Sequence, residues 1–139
     1  MLVQASALLT VRAPRQGLHP ITGEISGWLG KQAITSGLLT ILCRHTSASL
    51  LIQENAAQSA RRDLEAYFAR IAPEGAGYAH NDEGPDDMPA HLRAALTQAT
   101  LSLPVGGGQL LLGRWQGIYL FEHRREPTQR ELALHLAGE

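Results

Sequence analysis

Only one cysteine, Cys43, occurs in the 139 residues, and it lies inside an apolar run. A disulfide framework, a thiolate metal centre and a dithiol redox pair each need a second sulfur, so all three are excluded, and a reduced cytoplasmic setting fits best. Lysine is equally scarce. Lys31 is the sole example, so the basic charge is almost entirely arginine, whose planar fork suits phosphate and carboxylate. With a formal net charge of −1 and a pI near 6.6, the chain lacks the basic excess that would coat nucleic acid or an anionic membrane. No apolar run approaches the ~20 residues of a membrane span, and the first residues lack the basic region and long apolar stretch of an export signal. A soluble protein with neither nucleic-acid nor membrane partners is therefore expected. At 44% apolar the chain is rich enough to bury one core unaided, so residues 1–139 are expected to form one domain.

Strict alternation over Leu2–Val11 predicts a half-buried strand. Ala13–Gly17 reads as a turn. Pro20 then opens a predicted helix with Ile21, Ile25, Trp28 and Leu29 inward, ending near Ser36–Gly37. Gly37–Arg44 is nearly continuously apolar and reads as a strand buried on both faces. Asn55 with Gln58 three residues on resembles a capping box, followed by a helix over Ala56–Ala72 that Pro73 stops. Asp63 sits beside the apolar stripe of that helix, so a partly buried, partnered carboxylate is expected.

Residues 73–87 are too polar and glycine-rich for regular structure and too long for an idle connection. Pro89 starts a short helix with Leu92, Ala95, Leu96 and Ala99 inward. From Thr100 onward strands are expected: LSLPV, a triple-glycine hairpin turn, QLLLG, WQGIYLFE, and a clean alternation through Leu132, Leu134 and Leu136. The sum is an α+β domain with two layers of antiparallel or mixed sheet and about three helices packed on one side.

Three stretches concentrate chemistry. HTSASLLIQEN (45–55) gathers His45, Thr46, Ser47, Ser49, Glu54 and Asn55 around an apolar run. AHNDEGPDDMPAH (79–91) sets His80 and His91 on either side of four carboxylates, a mixture that suits zinc or manganese, with magnesium if oxygen ligands dominate. GRWQGIYLFEHRR (113–125) offers Trp115, Gln116 and Glu122 on or beside a strand, with Arg124, Arg125 and Arg130 as cationic forks for an anion. Taken singly, each stretch also reads as ordinary structure: edge hydroxyls, a solvated acidic loop, a structural tryptophan with surface arginines.

HTSASL, then Glu54-Asn55, Asp63, His80, DDMPAH, LP-V and LG-x-WQGIYL-x-E occur in the order of the YjbQ family, also described as secondary thiamine-phosphate synthases, and the chain resembles that family from the first strand to the C-terminus. The resemblance implies a compact, generally trimeric α+β fold and some thiamine-phosphate synthase activity: a pyrimidine methyl diphosphate joined to a thiazole phosphate, with pyrophosphate released. On that reading His45, Glu54 and Asp63 are expected as acid, base or ligand-orienting groups. Thr46, Ser47, Asn55, Trp115, Gln116, Glu122 and Arg124 are expected to hold substrate, and His80 and His91 a divalent ion. Asp82, Asp86 or Asp87 can add an oxygen, although Asp87 can equally cap the following helix. Many relatives have threonine in place of Arg114 and a Gly-Pro-Arg element in place of HRREPTQR, which leaves the anion-binding role of Arg125 and Arg130 unassigned. Two other readings stand beside it: a metal-dependent phosphate-ester hydrolase, and a non-catalytic trimer that binds a small anion or metal.

Overall fold

The computed structural model describes all 139 residues, Met1–Glu139. Eight strands and three helices follow in the order β1 (Val3–Ala13), β2 (Gly17–Pro20), α1 (Thr22–Leu29), β3 (Gly37–Cys43), β4 (Ala48–Glu54), α2 (Gln58–Ile71), α3 (Asp87–Leu96), β5 (Thr100–Gly106), β6 (Gln109–Leu110), β7 (Gln116–Glu122) and β8 (Thr128–Gly138). They form a five-stranded sheet, β1-β8-β3-β5-β6, and a three-stranded sheet, β2-β7-β4. Every pairing is antiparallel.

Alternation builds the core. Leu132, Leu134 and Leu136 of β8 turn inward with Leu39 and Ile41 of β3, and meet Leu50, Ile118 and Leu120 from the smaller sheet. Ile25 and Leu29 of α1 join this same core. The other face of the small sheet carries Leu18, Tyr119 and Phe121, which α2 covers with Leu64 and Phe68. Gly107 and Gly108 both have positive φ, as a two-residue hairpin turn between right-twisted strands requires.

Several local expectations are corrected. His19 and Pro20 belong to β2, paired with Leu120 and Tyr119, and α1 ends at Leu29, well before Ser36. β3 is buried on one face only: Leu38 is 48% and Leu42 40% exposed, because the outer face of the large sheet carries no helix. α2 starts at Gln58 with no side-chain cap, since the Asn55 amide donates instead to the carbonyls of Arg114 and Gln116. Asp63 is exposed on α2, and Leu64 and Phe68 alone of its stripe reach the sheet. α3 buries Asp87, Pro89, Ala90 and Arg93, whereas Leu96 is exposed, so the helix faces the protein with polar groups. QLLLG contributes only the two-residue β6.

Candidate metal centre and its supports

The acidic loop folds back on the first turn of α3, so His80 and His91 converge on one carboxylate. Asp87 Oδ2 lies 2.9 Å from His80 Nε2 and 3.1 Å from His91 Nε2. His91 and Asp87 are four residues apart on one helix face, which brings them together without strain. The Nδ1 of His91 is 2.8 Å from the Thr46 carbonyl, which can only accept, so that nitrogen carries the proton. A neutral His91 therefore points the bare lone pair of Nε2 at a carboxylate oxygen. Two lone pairs 3.1 Å apart repel unless a cation, either a proton or a metal ion, sits between them.

The donor set fits a metal on geometry as well. One nitrogen from each histidine and one oxygen from Asp87 lie within 4.8 Å of one another, and a tetrahedral ion with bonds of about 2.1 Å holds its donors roughly 3.3 Å apart. Charge points the same way. Asp82 and Glu83 also face His80, and the hydrogen bond that His80 donates to Asp87, with the charge of the neighbouring carboxylates, raises the His80 pKa. Beside the histidines is a cavity of about 360 Å³ lined by Tyr78, Asn81 and Met88.

Behind the centre lies a chain of ion pairs. Arg124 donates from Nη1 to Asp87 Oδ1 at 2.8 Å and from Nε to Asp86 Oδ2 at 3.0 Å. Burial acts to raise the Asp86 pKa, but the Arg125 backbone N–H and the Arg124 guanidinium outweigh it, and the carboxyl is held below its usual range. Between the sheets, Glu122 is fully buried and accepts from Arg130 Nε at 2.6 Å, from Arg130 Nη2 at 2.5 Å and from the Thr128 hydroxyl. Ser47 accepts from the same Arg130 through both its carbonyl and its hydroxyl. His45 Nε2 accepts from the Glu131 N–H at 2.8 Å, and burial, then Arg130, lower its pKa, so its free Nδ1 carries the proton.

The expected residues do not all meet. His80, His91, Thr46 and Arg124 touch one another directly or through Asp87, and Ser47, Glu122 and His45 gather around Arg130. Glu54, Asn55, Trp115 and Gln116 are at the other end of the β4–β7 pair, where Ala48 opposes Glu122 and Glu54 opposes Gln116. Six residues of strand at about 3.3 Å each separate the two ends by roughly 20 Å. That far end has its own cavity of about 450 Å³, with Trp115 57% exposed and Arg114 stacked on the indole at 4.9 Å. Asp63 joins neither group.

Sequence reasoning missed His123 and underrated Asp87 and Arg130. His123 is fully buried beneath α3, with Nε2 2.8 Å from Ser49 Oγ, which in turn accepts from Thr97. Its Nδ1 has no partner. Burial, and then the charge of Arg93, push its pKa down to about 3. A signal for Arg130 was present: it shares the inward phase of Leu132, Leu134 and Leu136.

Comparisons with known proteins agree along the whole chain. A UPF0047 protein of Synechocystis sp. is 44% identical over 137 residues, 98% of this chain and 93% of that protein. The UPF0047 protein YjbQ of Salmonella typhimurium is 42% identical over 132 residues, covering 94% and 96%. Among solved structures, a YbjQ-like protein of unknown function from Sulfolobus solfataricus superposes with a TM-score of 0.92 at 24% identity over 100% of both chains, which speaks for the fold. A conserved hypothetical protein from Thermus thermophilus gives 0.83 at 32% identity, covering 94% and 98%. Since the family profile described as UPF0047 protein YjbQ-like matches residues 7–139, the chain belongs to the YjbQ-like UPF0047 family.

Proposed function

We propose that this protein is a divalent-metal enzyme acting on a small phosphorylated substrate, and that its reaction is of the thiamine-phosphate synthase kind. The observation that carries the metal reading is Asp87 Oδ2 facing two imidazole nitrogens, one of which has its proton fixed on the far side by Thr46. His80, His91 and Asp87 are the ligands. In the coupling, the thiazole nitrogen forms a bond to the pyrimidine methyl carbon, the carbon–oxygen bond breaks, and pyrophosphate leaves with the bonding electrons. A bound ion supplies charge neutralisation for that leaving group. Thr46 fixes the His91 tautomer through its carbonyl, and Arg124 orients Asp87. His45, kept neutral with its proton on Nδ1, is a candidate hydrogen-bond donor to substrate at this end of the molecule.

One observation favours phosphate-ester hydrolysis as the second reading. Arg124, Arg125 and Arg130 are all engaged by carboxylates and Arg93 is buried against the Ala72 carbonyl, so no exposed guanidinium near the histidines is left to hold a second anion. A condensation of two phosphorylated substrates needs that second anion held.

A homotrimer is part of the same proposal. It is supported by the bare outer face of the large sheet, where Leu8, Leu38 and Leu42 are exposed and Leu8 and Leu42 border a hollow of about 490 Å³. A neighbouring subunit would also supply the missing cation, and it offers the Glu54 and Trp115 end a way to reach a metal centre. Sedimentation at micromolar concentration tests it, and a fully active monomer sinks it.

Calorimetric titration of zinc and manganese tests the metal. His80→Ala and His91→Ala should each weaken binding by roughly 10–100-fold or more, with circular dichroism unchanged. Parent-like binding by both folded variants overturns the site. Product analysis with the pyrimidine diphosphate and thiazole phosphate then decides the reaction: coupled product supports synthesis, and pyrimidine alcohol with pyrophosphate supports hydrolysis.

A further inference from the structure

Arg124 has the position of an anion-binding residue, but all three of its side-chain nitrogens are already engaged by the protein. Its Nη1 holds Asp87 Oδ1 at 2.8 Å, its Nε holds Asp86 Oδ2 at 3.0 Å, and its Nη2 holds the Glu83 carbonyl at 2.9 Å. Its backbone N–H donates to Glu122 Oε2 at 3.0 Å. Glu122 is fully buried and held bidentately by the Nε and Nη2 of Arg130 and by the Thr128 hydroxyl. An unbroken line of bonded groups thus runs from the ion pair between the sheets to one oxygen of Asp87. The other oxygen is left facing His80 and His91.

We infer that Arg124 is a positioning residue that sets the metal selectivity of the centre. By occupying Oδ1 it confines Asp87 to one-oxygen donation, so the protein presents two nitrogens and one Asp87 oxygen at close spacing, with one Glu83 oxygen beside His80 as a candidate fourth donor. That set suits zinc, which takes four ligands and accepts imidazole readily. It suits calcium poorly, since calcium takes six to eight oxygens and favours two-oxygen carboxylates. The same grip, with the Arg125 backbone N–H, holds the Asp86 carboxylate away from the histidines, while Glu83 Oε2 stays 3.0 Å from His80 Nε2. Without Arg124, Asp87 can offer both oxygens and Asp86 can swing in, and the centre becomes oxygen-rich.

This inference rests on the metal reading proposed above, and the experiment separates the two. Zinc, manganese and calcium are titrated singly into the full-length parent, Arg124→Gln, Arg124→Lys and, as a control, Arg125→Gln. Loss of a cation near the site favours every divalent ion in similar degree, so the ratio of affinities isolates geometry from charge. The Lys variant keeps the charge and loses the three-point grip, and it serves if the Gln variant folds poorly. Both Arg124 variants should lower the preference for zinc over calcium by about tenfold or more. Cobalt bound to the parent should give the intense absorption of a tetrahedral site, and cobalt bound to the variants the weak absorption of an octahedral one. Arg125→Gln removes a charge whose side chain pairs with exposed-loop Glu74, and should leave the ratio and the spectrum as they are. A parent that binds no zinc overturns the metal centre itself. A parent that binds zinc, with Arg124 variants that keep its selectivity and cobalt spectrum or an Arg125 variant that alters them equally, overturns the role of Arg124 alone.

Discussion

Replacing Arg130 by Met isolates the energetics of the ion pair between the sheets. Glu122 is fully buried and Arg130 only 7% exposed, so the variant leaves a carboxylate in the core with only the Thr128 hydroxyl and the Arg124 N–H as donors. Breaking a buried pair from one side typically costs about 3–5 kcal/mol, most of it the uncompensated charge that remains. For a chain of this size that corresponds to a fall in Tm of roughly 10–15 °C. The pH dependence carries a sign that can be checked. Burial acts to raise the Glu122 pKa, but in the parent the hydrogen bonds from Arg130, Thr128 and the Arg124 N–H outweigh it and hold the pKa below the ordinary carboxylate value. The parent therefore draws stability from Glu122 above the unfolded carboxylate pKa, and loses it only as pH falls through the lower folded value. With Arg130 gone, burial dominates and the folded pKa rises above the unfolded one, so protonation relieves the variant as pH falls. The deficit should shrink by up to about 1.4 kcal/mol per pH unit across the window in which Glu122 of the variant titrates. Urea melts at pH 7 and pH 4.5, at one protein concentration, measure both quantities. A deficit under ~1 kcal/mol at pH 7, or one that stays constant between the two pH values, refutes the argument. Arg130→Met combined with Glu122→Leu should recover much of the loss, because no buried charge is then left alone.

His123 should stay neutral in the folded protein down to about pH 4, since its pKa is near 3; a flat imidazole proton shift between pH 8 and 4.5 is the expected result, and titration near 6.5 refutes its burial. Because the folded pKa lies below the unfolded one, His123 contributes stability that is complete above about 6.5 and declines as pH falls from there toward 3. Asn55→Ala removes two amide donations to the Arg114–Gln116 turn and should cost about 1–2 kcal/mol while leaving zinc affinity at the parent value, since the proposed metal ligands are at the opposite end of β4. A parallel fall in zinc affinity would show that the two ends are coupled.

Period-two alternation made β1 and β8 readable, because each strand of a two-layer sheet shows one face to the core. It failed for β3, where a run of apolar residues suggested burial on both sides. Leu38 and Leu42 instead form part of an exposed apolar face, and sequence alone does not distinguish an apolar side chain in a core from one on an open surface. α3 misled for the converse reason. Its helical stripe of Leu92, Ala95 and Leu96 gave the wrong inward face, because Asp87 and Arg93 are buried by hydrogen bonding, a long-range effect that hydropathy does not register. Asn55 had the spacing of a cap, but two carbonyls of a turn some sixty residues on compete for its amide and hold it.

The candidate site divides along the same line between local and long-range information. His80, Asp87 and His91 were readable as one cluster because a single loop and one helical turn bring them together, so their proximity in sequence becomes proximity in space. Glu54 and Asn55 are also close in sequence to His45 and Ser47, yet β4 is an extended rod and carries them to the far end of the sheet. A segment that looks like one motif on the page therefore serves two places about 20 Å apart. The far end, with an exposed indole and a half-buried carboxylate, holds groups that suit a flat ring; the near end holds groups that suit an ion. Within one chain these cannot act on the same bond. Either the two ends serve separate ligands, or a neighbouring subunit brings its far end to this near end, and the second arrangement would also give a site whose Arg124, Arg125 and Arg130 are already paired a way to take two phosphorylated substrates.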